Sequence, residues 1–191
     1  MNLITAQRYA EKILTWLMPH CERIQVAGSV RRARPECADI DLVVIPRLDV
    51  TRDMFGTVLT TRNVTWCFLC NYIAQSNGTA KWLAGQENEH GKNWLLQLPK
   101  CQCDIFTATP DTWGTVLLCR TGSKEHNIWL ASRVKASGGH WHPAEYLRLG
   151  GKTHDVRTEE SIYAACGLPY IEPADRELPY LGAFDQKLAA L

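Results

Sequence analysis

The 191 residues carry a formal net charge of +1, and 46% of them are hydrophobic, 21% charged and 9% aromatic. That balance is the composition of an ordinary soluble globular protein of one domain or two small ones, and it excludes a disordered or collagenous chain. The longest apolar runs, such as Leu42 to Ile45 and Val116 to Cys119, fall far short of the roughly 20 residues that span a bilayer, so no transmembrane anchor is expected.

Arg8, Glu11 and Lys12 interrupt the N-terminal pattern, which has no signal-peptide layout and points to an intracellular protein that is not secreted. The eight cysteines are then expected to be mostly reduced, buried thiols. Asn63-Val64-Thr65 and Asn77-Gly78-Thr79 match the glycosylation pattern by chance. Divided by segment, residues 1–36 hold 6 basic and 3 acidic side chains, 37–118 hold 6 and 8, 119–157 hold 7 and 3, and 158–191 hold 2 and 6. Two basic stretches flanking an acidic middle suit a polyanion wrapped around a carboxylate site.

Leu3, Ala6, Ala10, Ile13, Leu14 and Leu17 recur at helical spacing, and Pro19 closes that helix. Glu22 to Ala27 alternates as a short strand, Gly28 breaks it, and Ser29 caps a turn of helix through Arg31 and Arg32. Asp39 to Pro46 reads as a β-prone strand. Residues 47–62 read as a loop, Val64 to Ala74 as an apolar helix, and Asn77-Gly78 as a turn. Strands follow at Ala80 to Leu83, Trp94 to Leu98 and Cys101 to Thr107, with a polar loop from Gln86 to Asn93. Thr109-Pro110 opens a helix to about Arg120, which Gly122 ends; Ser123 caps another, stopped by Gly138-Gly139. The remainder holds a hairpin around Gly150-Gly151, a helix between Thr158 and Gly167, and a proline-rich acidic tail. The expected fold class is α/β (α+β), with a boundary between a mixed-sheet domain over 1–118 and a mainly helical subdomain over 119–191.

In Asp39-Ile40-Asp41 the two acids sit two apart on a strand, so both face one way while Ile40 and Leu42 enter the core. A third acid, Asp104, stands on another β-prone run between Cys103 and Ile105. If those strands are neighbours, three carboxylates meet on one rim. Hard oxygen donors in that number suit two Mg²⁺ ions, or Mn²⁺ in their place, with substrate phosphates completing the shells. Upstream, the turn at Gly28-Ser29 offers a helix start to a phosphate, and Arg31 and Arg32 add guanidinium groups.

The ordered set Gly28-Ser29-x-Arg31-Arg32, Asp39-x-Asp41 and a later Asp104 resembles the family X DNA polymerases of the nucleotidyltransferase superfamily. Thr121-Gly122-Ser123, with Asn127 beyond it, is similar to that family's signature at the entry to its nucleotide-binding subdomain. Glu160 to Tyr163 and Glu172-Pro173-Ala174-Asp175-Arg176 resemble its closing helix and its ending. The resemblance implies a minimal member, palm plus nucleotide-binding subdomain, because only 27 residues precede Gly28.

It further implies transfer of deoxynucleotides from their triphosphates to a primer 3′-hydroxyl, in gap filling or DNA repair. Asp39, Asp41 and Asp104 would hold the two metal ions. Gly28, Ser29, Arg31, Arg32, Thr121, Gly122 and Asn127 would hold the nucleotide, and Arg133 and Lys135 the DNA. The partners would be primer-template or gapped DNA and deoxynucleoside triphosphates, and the chain would act as a monomer. A template-independent terminal transferase and a catalytically idle DNA-binding module are the other readings. The departures from the family pattern are Val30, Ala38, Gln102, Cys119-Arg120 and Ala131, and they bear on fidelity, sugar choice and template dependence. Cys67-x-x-Cys70 and His140-Trp141-His142 have the spacing of metal pairs, but buried cysteine and an ordinary loop or exposed edge are the plainer readings.

Overall fold

In a computed structural model, residues 1–177 are described. Helix α1 (Leu3–Leu17) starts at Asn2, whose side chain accepts from the Thr5 amide, and it buries Ala6, Ala10, Ile13 and Leu17. Strand β1 (Cys21–Val26) leads through Ala27 into the single turn α2 (Gly28–Arg31). Strand β2 (Ile40–Pro46) begins one residue later than its sequence pattern suggests, so Asp39 lies just outside it.

Residues 47–62 are not a loop. They form an exposed two-stranded ribbon, β3 (Leu48–Arg52) against β4 (Val58–Asn63). Its β-branched residues favour extension, but the ribbon has no packed face of its own, so the alternation that marks a half-buried strand is missing. Helix α3 (Val64–Gln75) follows, capped by Asn63. The Asn63 side chain is buried, accepts from the Trp66 amide and donates to the Glu89 carbonyl, which removes it as a glycan acceptor.

Strands β5 (Lys81–Ala84), β6 (Asn93–Gln97) and β7 (Gln102–Thr107) complete a five-stranded sheet in the order β1-β2-β7-β6-β5. The β2–β7 pair is parallel and the other pairs are antiparallel. One face of the sheet presents Ile40, Leu42, Val44, Cys103 and Ile105 to α1 and α3. The other presents Val43, Ile45, Phe106 and Ala108 to Trp113, Val116 and Leu117 of helix α4 (Trp113–Thr121). By strand alternation Asp41 and Asp104 belong to this second face. Helix α4 starts three residues after Pro110, because Thr112 folds back to accept from the Thr109 amide and holds a turn there.

Helix α5 (Lys124–Ala136) is capped by Ser123. The segment read as a loop or exposed edge is strand β8 (His140–His142), which joins β9 (Tyr146–Leu149) and β10 (Lys152–His154) in a three-stranded sheet ordered β10-β9-β8. Helix α6 (Glu159–Ala165) closes a second core of Leu118, Leu130, Val134, Trp141, Leu147, Ile162 and Tyr163. The tail at 178–191, part of the expected 119–191 subdomain, lies outside the described residues. No helix among the described residues is long and apolar enough to cross a membrane. All eight cysteines are free, but only Cys37, Cys101 and Cys103 are buried; the other five are half-buried.

Candidate active site

Parallel pairing of β2 with β7 sets Asp41 directly opposite Asp104. Adjacent strands run about 4.8 Å apart, so the two carboxylates leave one sheet face as neighbours. Asp39, just ahead of β2, joins them at the same end. Burial, then the charges of Asp39 and Asp104, push the Asp41 carboxyl up to about 7, against the opposing pull of Arg32 and Arg120. Burial and the Asp104 charge also raise Asp39. The Gln102 amide donates to Asp104 Oδ1 at 2.9 Å.

Gly28 stands against this rim with φ of +58°, and a Cβ there would lie 1.8 Å from Asp41 Oδ2. Only glycine allows both the left-handed backbone and the close approach of the carboxylate. The Asp41 carbonyl accepts from the Ala27 amide at 2.8 Å, which pins the turn to the strand that carries the acid.

Asp39 and Asp41 line a cleft of about 1170 Å³ together with Gly28, Ser29, Arg32, Cys119, Arg120, Gly122 and Asn127. Ser29 Oγ is buried and has no hydrogen-bond partner among the described residues. Arg32 donates through Nε to Glu177 at 2.8 Å and through Nη1 to the Thr121 carbonyl. Asn127 donates to the Cys119 carbonyl at 2.8 Å. Arg120, an exposed residue, lies over the Phe106 ring, 4.0 Å from its centroid, so its side chain runs along the sheet face.

Several expected site residues point elsewhere. Arg31 makes a bidentate pair with Glu159 at 2.7 and 2.8 Å and donates to Thr121 Oγ1 at 2.6 Å. It does not line the cleft. Thr121 is fully buried, with its hydroxyl given to Arg31 and its carbonyl to Arg32. Arg133 stacks on Trp129 at 5.0 Å and lines a separate hollow, while Lys135 on the same helix is exposed. Glu159 and Arg176 were not anticipated as a pair: Arg176 Nη1 donates to Glu159 Oε1 at 2.8 Å, and both side chains are buried. The signal available for them was an acid in the first turn after the Thr158 cap and the arginine of the closing motif.

Among the described residues no group of three or more His, Cys, Asp or Glu side chains converges on a single ion position. The donor chemistry nevertheless fits a divalent cation. Three hard carboxylates share one rim, and burial, together with their mutual charge, makes Asp41 hard to ionise without a positive neighbour.

A family model described as DNA polymerase beta thumb matches residues 116–177. The chain is 27% identical over 161 residues to DNA polymerase/3′-5′ exonuclease PolX of Bacillus subtilis (strain 168), a match that covers 83% of this chain. It spans about a quarter of that relative's length, 25%. Among solved structures, Leishmania infantum polymerase beta in a ternary P/T complex matches with a TM-score of 0.63 and 16% identity, over 93% of this chain and 76% of that one. The fold is that of the nucleotidyltransferases, a mixed sheet backed by helices. On the sequence likeness, the matched thumb segment and the shared fold together, the chain is similar to the family X polymerases.

Proposed function

We propose that this chain transfers deoxynucleotides to a primer 3′-hydroxyl, as a DNA polymerase acting in gap filling or repair within the cell. The observation that carries the reading is the register of β2 against β7, which pairs Asp41 with Asp104 on the face where the cleft opens. In this reading residues 1–118 serve as the palm and 119–191 as the nucleotide-binding subdomain.

Asp39, Asp41 and Asp104 would hold two Mg²⁺ ions. Bound there, the ions would supply activation of the attacking hydroxyl and charge stabilisation on the departing pyrophosphate. Asp104, on its own strand, would take the hydroxyl proton. Ser29 Oγ, buried in the cleft wall without a partner, would donate to a terminal phosphate oxygen, and Arg32 would face the triphosphate charge from the position Glu177 and Thr121 fix for it. Gly122 and Asn127, across the cleft, would border the sugar and base edge. Arg31 serves this arrangement through Glu159 and Thr121 rather than by touching substrate.

Extension of a labelled primer tests the reading: incorporation on a one-nucleotide gap that requires Mg²⁺ and stops when a chelator is added is expected. An untemplated end run in parallel reports terminal transfer. Binding of the gapped duplex without any incorporation would leave the idle DNA-binding module instead.

A further inference from the structure

One side of the three-stranded sheet packs into the second core. Trp141 and Leu147 turn into the second core, and alternation therefore sends His140, His142, Tyr146 and Arg148 to the other side. Register aligns them in two rows: His140 pairs with Arg148 and His142 with Tyr146. Tyr146 is the hub, with its ring centroid 5.7 Å from each imidazole and 4.6 Å from the Arg148 guanidinium. His140 and Arg148 are exposed, and His142 and Tyr146 half-buried. Beside them Thr153 of β10 pairs with Arg148 in the same plane.

We propose that this open face is a stacking platform for unpaired nucleotides of a single DNA strand. The choice of DNA rests on the polymerase reading; the platform itself rests on chemistry. Imidazole rings held on a sheet face offer π surfaces to bases regardless of sequence, and the Arg148 guanidinium, laid over the Tyr146 ring, adds a planar cation for a base or a phosphodiester. Among the described residues no aliphatic side chain of these strands shares the face, so they offer little to an apolar protein partner. The carboxylate of Glu145, 3.9 Å from His142 Nδ1, is already paired with Lys92 at 3.0 Å. Paired bases cannot stack on such a surface, so the platform distinguishes a template overhang or a displaced strand from duplex.

Anisotropy of a fluorescent twelve-residue oligothymidylate, titrated with the full chain, is the test. Wild type is expected to bind it, Tyr146→Ala to weaken binding roughly 5- to 100-fold, and Tyr146→Trp to restore it. Arg148→Glu, at an exposed position, is expected to weaken it as well and serves if Tyr146→Ala fails to fold. No measurable binding by wild type, or equal affinity in Tyr146→Ala and Arg148→Glu, would overturn the platform. Incorporation by wild type on a gapped duplex, measured separately, reports on the polymerase reading alone, so the two failures are told apart.

Discussion

Arg31 and Arg176 grip the same carboxylate. Glu159 accepts from Arg31 through both oxygens and from Arg176 through Oε1, and the Tyr170 hydroxyl adds a bond at 2.9 Å. Arg31 ends the turn that holds Gly28 and Ser29, whereas the Arg176 carbonyl accepts from the Ser123 hydroxyl at 2.6 Å. One buried cluster therefore ties the two walls of the cleft together. Desolvating three charges is costly, and the surrounding hydrogen bonds are what make the arrangement tolerable.

Glu159→Gln removes the charge and keeps the shape, leaving Arg176 buried without a counter-ion. A loss of about 3–5 kcal/mol is expected on chemical denaturation. Burial opposes ionisation of Glu159, but hydrogen bonds and charge from Arg31 and Arg176 hold its carboxyl down at about 2. An unfolded glutamate titrates near about 4.3. The folded value is depressed, so this stability is complete above about pH 4.3 and is lost as pH falls toward about 2. Wild-type Tm should fall more steeply than that of Glu159→Gln below about pH 4.3; parallel curves would contradict the assignment.

Gly28→Ala places a methyl where Asp41 Oδ2 now stands, at a backbone angle an L residue dislikes. The strain costs about 1–2 kcal/mol, and the displaced carboxylate should lower incorporation at least about tenfold by the proposed mechanism. Gly78→Ala is the control, since its φ of +79° imposes comparable strain but its Cβ meets nothing within 4 Å. If both variants lose the same stability and neither loses activity, the glycine is not needed at the carboxylate.

Much of this site was legible because it is local. A β-prone run with acids two apart fixes which way they face, and a glycine between strand and helix start marks the turn that meets them. The pairing of β2 with β7 needed only one inference, that two such strands are neighbours. Arg31 was misread because its spacing beside Arg32 says nothing about Glu159, which lies far along the chain and joins it only through tertiary packing. The β3–β4 ribbon escaped for a different reason: Val50, Val58 and Leu59 are all exposed, and a strand without a buried face leaves no period to read. In β8 the period was present, but three residues are too few to separate a strand from a loop until Tyr146 and Arg148 are seen beside it.

Asp104→Asn isolates the proposed acceptor of the hydroxyl proton. An asparagine keeps the oxygen that accepts from Gln102, so the strand and its neighbours should stay as they are. Incorporation should drop roughly a hundredfold or more, since a metal-held oxyanion represents several kcal/mol of transition-state stabilisation. DNA affinity should remain within a few-fold by filter binding. Incorporation within tenfold of wild type in Mg²⁺ would remove Asp104 from the mechanism.

DNA affinity should fall steeply between about 50 and 200 mM salt, because phosphate contacts release counter-ions. Lys135 is exposed on α5, while Arg133 is half-buried with its guanidinium over Trp129. Lys135→Ala should therefore reduce the slope of log affinity against log salt by about 0.9, and Arg133→Ala by less. An unchanged slope in the double variant would route the DNA along another face.

Sugar selection is expected to be weak. Cys119 and Arg120 stand just before Thr121-Gly122-Ser123, and both line the cleft. The Cys119 carbonyl is held by the Asn127 amide, so the backbone beside the proposed sugar position is fixed while its side chain is small. Arg120 cannot fill the gap in its present place, since its guanidinium is laid on the Phe106 ring. A single poorly filled contact changes discrimination by about 10–200-fold. Matched dNTP and rNTP incorporation should accordingly show a modest deoxy preference in wild type, and Cys119→Tyr should raise it by a factor in that range. The Asn127 hydrogen bond to the backbone survives that substitution, and only its longer contact to Cys119 Sγ at 3.9 Å is lost. A deoxy preference above roughly a thousandfold in wild type, unaltered by Cys119→Tyr, would mean that the Cys119 carbonyl or another group excludes the 2′-hydroxyl without help from this side chain.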